Sequence, residues 1–532
     1  MTSREHPQAH AELLQDAVAG RVSRREIFKR GTALGLSSSA IAGALMAYKS
    51  PSVSAQEASP VVGTSGLAGK TIDMTILGIA GFPPSSLGVS MATDLFKGYA
   101  KDNYGYDVNF AFEEAPFGEL FQKAATSLSS KSDQYNIIIS DSQWLGAFAE
   151  PGWILQLNDI IAANPDLNIE FEEAAAVGYR IYPDGTDQIW GFPQEGDTQV
   201  LFVRQDLFSD PKEMEAFKSA NGWDLPQTFA DWEKVDIDQF EQIAKFFTRP
   251  DQNLYGTAML WTNDYDFAST YIYPFMFSTG GEIIQGDLGK YKIEGVLDSD
   301  INAAALKRNK DFLQYAPSGA TSYEIGAGID HFTAGELATC FQWSAVGPQM
   351  RNQSADNPST PADPAKPVTP DKVSIVIGPG FKAADGTLNR TYTLGGQPWV
   401  INAYNDPDHM QVSIDFMKWW YTPETQSEFA KRGGNPSTKA ALADPNFDSL
   451  QPHFHAYRYM LQNNHSKDFW HDPNYAEMLS EQQKAFSAYL TDVITDPMQA
   501  LKYAACMQQQ ILFDAGRTDI QPSDSCADVS IG

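Results

Sequence analysis

W-G-F-P-Q-E-G-D-T-Q-V-L-F-V-R-Q-D-L-F, residues Trp190–Phe208, is the stretch on which the reading of this chain turns. Its first half is punctuated: Pro193 removes a backbone donor, and Gly191 and Gly196 permit unusual φ angles. Glu195, Asp197 and Thr198 crowd onto that turn. Val200–Val203 is then an apolar, β-branched run of the kind that fills a buried strand, and Arg204–Phe208 closes it. A polar turn feeding a buried strand is common, so the chain on either side has to give it meaning.

Working outward, Thr71–Ile79, Tyr106–Phe112 and Asn136–Ser140 read as strands, separated by helical spacing over Val89–Lys101 and Phe117–Ser129. Strands alternating with helices of this length predict βαβ units and a mostly parallel sheet covered on both faces. In such sheets a ligand sits beyond the carboxyl ends of the strands, which puts loops 80–86, 113–118 and 141–146 at a mouth. The strand ends share a chemistry of acids, amides and indoles. Asp141, Gln143 and Trp144 follow the first-third strands, and Trp261, Asn263 and Asp264 follow a strand over Tyr255–Leu260. Gln342 and Trp343 end the run Ala338–Phe341, and Gln397 and Trp399 lie within Leu394–Asn402. Trp144 has an alternative place under its own loop, since an isolated tryptophan is usually structural.

Composition bounds the function. A chain of 532 residues with 42% hydrophobic and 12% aromatic residues can bury large cores and is expected to form at least two lobes. A net charge of −29 argues against non-specific binding to nucleic acid or anionic membranes, which needs lysine and arginine patches. There are three cysteines; Cys506 and Cys526 are close enough in sequence to form a disulfide, and Cys340 sits in an apolar run as a buried thiol. No C-x-x-C or H-E-x-x-H occurs and the eight histidines are scattered, so no metal site and no cofactor is expected.

The N-terminus carries an address. Ser23-Arg24-Arg25-Glu26-Ile27-Phe28-Lys29 matches the twin-arginine export pattern S-R-R-x-F-x-K with the aromatic shifted one place. Gly31–Ala47 is too short and too weakly apolar for a comfortable membrane span, and Val53-Ser54-Ala55 supplies small residues for cleavage before Gln56. With no cysteine near that point to carry a lipid, the expectation is a soluble protein exported to the periplasm.

Taken in order, these stretches resemble the extracellular solute-binding proteins of ABC importers, sugar-binding type. Trp190–Phe208 resembles that family's G-x-P-x-x-x-D-T-x-x-L-x-Y-N-x-x-L-F crossing between two lobes, with Val203 and Arg204 in place of the Y-N pair. Asp330–Trp343 resembles F-x-x-G-x-A-A-M-x-x-x-W, and Leu394–Asn402 resembles the return crossing L-G-G-W-x-L-x-I-N. Gly433-Gly434-Asn435-Pro436 matches G-x-x-P, and the resemblance runs from about Thr71 to about Phe513. It implies an α/β fold of the two-lobed periplasmic-binding-protein type (type II), each lobe a mostly parallel sheet flanked by helices and joined by hinges. The expected organisation is a signal peptide over 1–55 and a flexible leader over 56–69. Lobe 1 then comprises 70–192 plus 395–450, and lobe 2 comprises 193–394 plus 451–532.

A sugar has apolar C–H faces and a rim of hydroxyls, so its site wants flat aromatic surface with carboxylates and amides around it. The candidate ligand-binding residues are therefore Asp141, Gln143, Trp144, Glu195, Asp197, Trp261, Asn263, Asp264, Gln342, Trp343, Gln397 and Trp399. The expected function is capture of a neutral carbohydrate or polyol in the interlobe cleft and delivery to the transmembrane subunits of an ABC permease, by a monomer that is not an enzyme. Another solute on the same fold, such as a polyamine or an organophosphate, is the alternative. A secreted carbohydrate-active enzyme using Glu113 or Glu114 with Glu195 is the remote one, because adjacent glutamates on a strand point to opposite faces.

Overall fold

Alternating apolar runs and amphipathic helices build βαβ units in the first third of the chain. The computed structural model describes residues 66–354, 358–383, 385–468, 470–524, 526 and 530–531. The expected signal peptide, and the leader as far as residue 65, lie outside the described residues. Strand β1 (Thr71–Ile79) lies parallel to β2 (Asp107–Ala115) along its whole length and to β3 (Ile137–Ile139) at its end. The segment 80–86, read above as a loop, enters a helix at Pro83, and helical structure continues to Tyr104. Prolines in a first turn do not break a helix, because those positions have no intrahelical N–H bond to lose.

The remaining strands are β4 (Phe192–Arg204), β5 (Thr339–Trp343), β6 (Val373–Val376), a small hairpin β7 (Phe381–Lys382) and β8 (Leu388–Asn389), β9 (Tyr392–Ile401) and β10 (Ser466–Lys467). One sheet runs β2-β1-β3-β9-β4-β5, with β6 also on β4 and β10 on β9. β4 pairs with β9 along its first half and with β5 and β6 along its second. β9 in turn leaves β4 to join β3. These two antiparallel strands thread two otherwise parallel sets. One is β2-β1-β3; in the other, β5 and β6 run the same way beside β4, and the backbone of 255–258 bonds alongside β5 through Ala338, Thr339 and Phe341. The layout is a mixed α/β sheet in two parts: the strand and helix alternation predicted the α/β class, and the chain length at least two lobes.

The polar first half of Trp190–Phe208, predicted as a turn, is strand: all thirteen residues of β4 are buried. Pro193 is accommodated because it faces Pro398 of β9, so neither strand is asked for an N–H there, and the register shifts at a bulge between Pro193 and Glu195. A helix hydrophobic on every side, Phe267–Ser278, is buried on every side, as such a sequence requires. Pro274 inside it leaves the carbonyl of Thr270 without its helical partner. That oxygen accepts instead from the Gln199 amide at 2.9 Å and the Thr393 hydroxyl at 2.7 Å, tying the helix to β4 and β9. A proline that would damage an isolated helix becomes its anchor to the sheet.

Trp399 of β9 packs edge-on against Phe416 and Trp420 of helix Pro407–Trp420, each ring buried. Such burial is worth about 1.5–3 kcal/mol for a large apolar side chain. The C-terminal helices Tyr475–Leu490 and Pro497–Asp514 pack on each other, and the Cys506–Cys526 disulfide ties the tail to the second. Cys340 is a buried free thiol.

Gly256 marks where backbone meets backbone. A Cβ there would lie 1.8 Å from the carbonyl oxygen of Ala244, which belongs to helix Ile237–Phe247 and cannot swing away. Gly256→Ala is therefore expected to destabilise the fold by about 1–3 kcal/mol or more, read as a lowered urea midpoint.

Candidate ligand-binding site

The carboxyl ends of the strands converge on one narrow cavity. Each of the three loops expected at the mouth supplies a wall: Phe82, Phe117, and Asp141 with Ser142. The opposite wall is built by Tyr265, Asp266 and Phe267 ahead of the buried helix, Ile325, and Trp343 at the end of β5. Asp197 of β4 and Leu394–Gln397 of β9 form the floor. The cavity measures about 30 Å³, room for a water or two and far below the 300–1,000 Å³ typical of ligand pockets.

Asp141 caps the short helix Ser142–Trp144, accepting from the Gln143 N–H at 3.3 Å. It also accepts from the Tyr265 hydroxyl at 2.9 Å, and the Gln143 amide donates to Asp266 at 2.9 Å and Tyr265 at 3.0 Å. Three hydrogen bonds thus join the loop after β3 to the loop before helix Phe267–Ser278. Burial raises the Asp141 pKa to about 6 against the pull of Tyr265, and pushes Asp266 well up, with Asp141 adding to it. Tyr265 holds a left-handed backbone (φ 47°), which turns its ring onto Phe117 at 5.4 Å and 28°.

Asp197 accepts from Ser344 Oγ (2.5 Å) and from the backbone N–H groups of Thr198 (2.8 Å) and Ala345 (3.1 Å). The chain of bonds continues through Asn435, whose amide donates to Ser344, to His453. Burial lifts Asp197 to about 7 despite those donors, and burial drops His453 to about 3, so this imidazole is neutral. Trp343 lies flat against β9 because residue 395 is glycine: a Cβ there would stand 2.6 Å from the indole. Gly396 holds φ +97°, a conformation that side chains resist.

Of the twelve candidate residues, Asp141, Asp197, Trp343 and Gln397 line the cavity. Gln143 stands behind it as the link to Asp266, and Gln342 supports it by accepting from the Trp343 N–H at 3.0 Å and donating to the Ile325 carbonyl at 3.2 Å. The rest lie elsewhere. Trp144 packs against Phe121, Phe148 and Tyr265; Trp261 is buried with its indole N–H on Asn309; Trp399 is in the core described above. Asn263 and Asp264 are exposed. Glu195, opposite Gln397 in the ladder, is buried and does not line the cavity; neither carboxyl oxygen is bonded, and burial followed by nearby Asp197 pushes its pKa well up. Residues not anticipated are Phe82, Phe117, Tyr265, Asp266 and Phe267. The signal for the last three was present: the loaded strand end at Trp261–Asp264 continues straight into them.

Among the described residues, Glu294 with Cys506 and Cys526 is the single grouping with metal-ligand spacing, and its two sulfurs are bonded to each other. No described helix is long and apolar enough to cross a membrane. The model of the bacterial extracellular solute-binding protein family matches residues 94–454.

The chain belongs to that family. Solved structures agree on the fold of this solute-binding protein. An ABC transporter solute-binding protein of Agrobacterium radiobacter, solved with ribitol, is 21% identical with a TM-score of 0.64, covering 83% of this chain and 99% of its own. One from Agrobacterium vitis with D-mannitol is 17% identical with a TM-score of 0.62, covering 84% and 99%. One from Thermotoga lettingae with alpha-D-tagatose is 17% identical with a TM-score of 0.61, covering 83% and 100%. The two-lobed fold of these proteins is the fold of this solute-binding protein.

Proposed function

We propose that this protein captures a carbohydrate or polyol in the cavity between β3, β9 and the Tyr265–Phe267 loop, and hands it to an ABC permease. The observation that carries the reading is the lining itself. Aromatic faces from Phe82, Phe117, Tyr265 and Trp343 stand beside acceptors from Asp141, Asp197, Asp266 and Gln397. That is the mixture a ring with apolar faces and a hydroxyl rim requires. Relatives of the same fold solved with ribitol, D-mannitol and alpha-D-tagatose support the same class.

A space of about 30 Å³ cannot hold a sugar, so the walls part to admit one. The parting moves residues 70–192 plus 395–450 against 193–394 plus 451–532 about β4 and β9, and closure is favoured because both walls then touch the solute. Residues 1–55 serve as a twin-arginine signal and the mature monomer works in the periplasm. Catalysis is not part of this reading: Glu113, on the outer strand β2, is hydrogen-bonded to Tyr135, far in role from the buried Glu195.

Titration of tryptophan fluorescence with a panel of sugars and polyols is expected to give a saturable change for at least one. Silence across the whole panel overturns the proposal. Trp343→Ala is expected to weaken the binding solute by about tenfold or more, measured by calorimetry, with a fold intact by circular dichroism.

A further inference from the structure

Three carboxyl groups, Asp141, Asp197 and Asp266, line one small cavity, and no lysine, arginine or histidine lines it with them. Hydroxyls of a neutral sugar both donate and accept, and carboxyls can serve them, but three buried acids with no basic side chain beside them are more negative charge than a hydroxyl rim alone calls for. The protein nevertheless aims donors at these carboxyls. Asp197 receives three, from Ser344, Thr198 and Ala345, and Asp141 receives Tyr265 and the Gln143 backbone. Donors so placed favour the charged form and burial opposes it, so in a wall that supplies no cation of its own the charge is completed by one brought in with the solute.

An independent feature points the same way. Gln397 is 4% exposed and lines the cavity, and its amide oxygen has no hydrogen-bond partner. A buried acceptor left unbonded is costly and calls for a donor from the solute. The aromatic faces of Tyr265 and Trp343 complete a surrounding that attracts positive charge through the ring quadrupole.

We infer that the solute carries a basic nitrogen: an amino sugar or amino polyol, whose ammonium is held among Asp141, Asp197, Asp266 and Gln397. This rests on the carbohydrate or polyol reading above and narrows it. An ammonium offers three N–H donors and one positive charge to a site made of acceptors and of acids whose ionisation that charge favours, while the hydroxyl-bearing carbons lie against the rings.

The test is calorimetry on the purified exported protein at pH 7.5 with matched pairs: glucose and glucosamine, galactose and galactosamine, sorbitol and 1-amino-1-deoxysorbitol. The amino member of at least one pair is expected to bind about tenfold tighter or more than its neutral partner. Asp266→Asn is expected to shrink that ratio about tenfold while the melting temperature without solute stays within a few degrees. If the neutral member binds as well or better in every pair that binds, the inference falls and the carbohydrate reading stands. If putrescine, spermidine or choline binds and no sugar or polyol does, the carbohydrate reading falls and, with it, this narrowing of it. If nothing binds, both are overturned.

Discussion

Arg517→Met is expected to destabilise the protein by about 3–5 kcal/mol, seen as a large fall in the urea midpoint. Arg517 follows the last helix and donates to Asp472 at 2.8 Å through Nε, to both oxygens of Glu150 at 3.0 Å, and to the Tyr182 hydroxyl at 3.1 Å. Its side chain is 11% exposed and that of Asp472 is fully buried, whereas Glu150 is 48% exposed. The Glu150 contact therefore contributes little, and the cost of the substitution falls on Asp472, left as an uncompensated buried acid. The two shifts agree with this division. Burial works against the Arg517 charge, yet Asp472 and Glu150 outweigh it and hold the proton more tightly. Burial raises Asp472, and Arg517 pulls it only partly back. The double variant Arg517→Met with Asp472→Asn should recover much of the loss, since the stranded charge is gone. A loss below about 1 kcal/mol in the single variant would show that Asp472 is already protonated in the native protein and that the pair is not what joins the tail to Glu150 and Tyr182.

How much of this was legible from the chain depends on the range over which a residue's environment is decided. The β1 run, the buried character of Val200–Val203 and the all-round hydrophobic helix near Tyr271–Phe277 are local patterns, and local patterns read directly. The extent of β4 was not legible, because Pro193 normally ends a strand and is tolerated here through Pro398, a residue more than two hundred positions away. The candidate indoles divide for a physical reason. In a sheet covered by helices, a tryptophan at or near a strand end still faces packed side chains, so Trp261 and Trp399 are core. The wall groups that reach the cavity sit at or beyond the last paired residue (Asp141 after β3, Tyr265 and Asp266 after 255–260, Trp343 as β5 turns), whereas Asp197 and Gln397 reach it from paired positions of β4 and β9. The Arg517 and Asp472 pair left no sequence signal at all, nor did the contact of Arg517 with Glu150 and Tyr182, which belong to the stretch assigned to the other lobe.

The second large effect is expected at His471 and depends on pH. The ring is 3% exposed, with Nδ1 2.7 Å from Asp184 and Nε2 3.0 Å from Asp468. Both nitrogens face carboxylates, so both carry protons and the ring is an imidazolium. Asp468 also accepts from Ser142 of the cavity wall at 2.9 Å, so the same buried charge holds Asp468 and His471 against the loop after β3. Burial opposes that charge, but Asp184 and Asp468 overcome it and raise the pKa from 6.5 to about 10. The folded protein thus binds this proton more tightly than the unfolded chain does. The stabilisation is complete below about pH 6.5 and is lost progressively as pH rises from 6.5 towards 10. His471→Gln should therefore cost about 3–5 kcal/mol at pH 6 and clearly less at pH 10, measured as the difference between the two urea curves at each pH. Taking the difference removes the lysines, the tyrosines and the neutral His453, which titrate alike in both proteins. A cost that stays constant across that range would mean that His471 is held by packing and not by its charge.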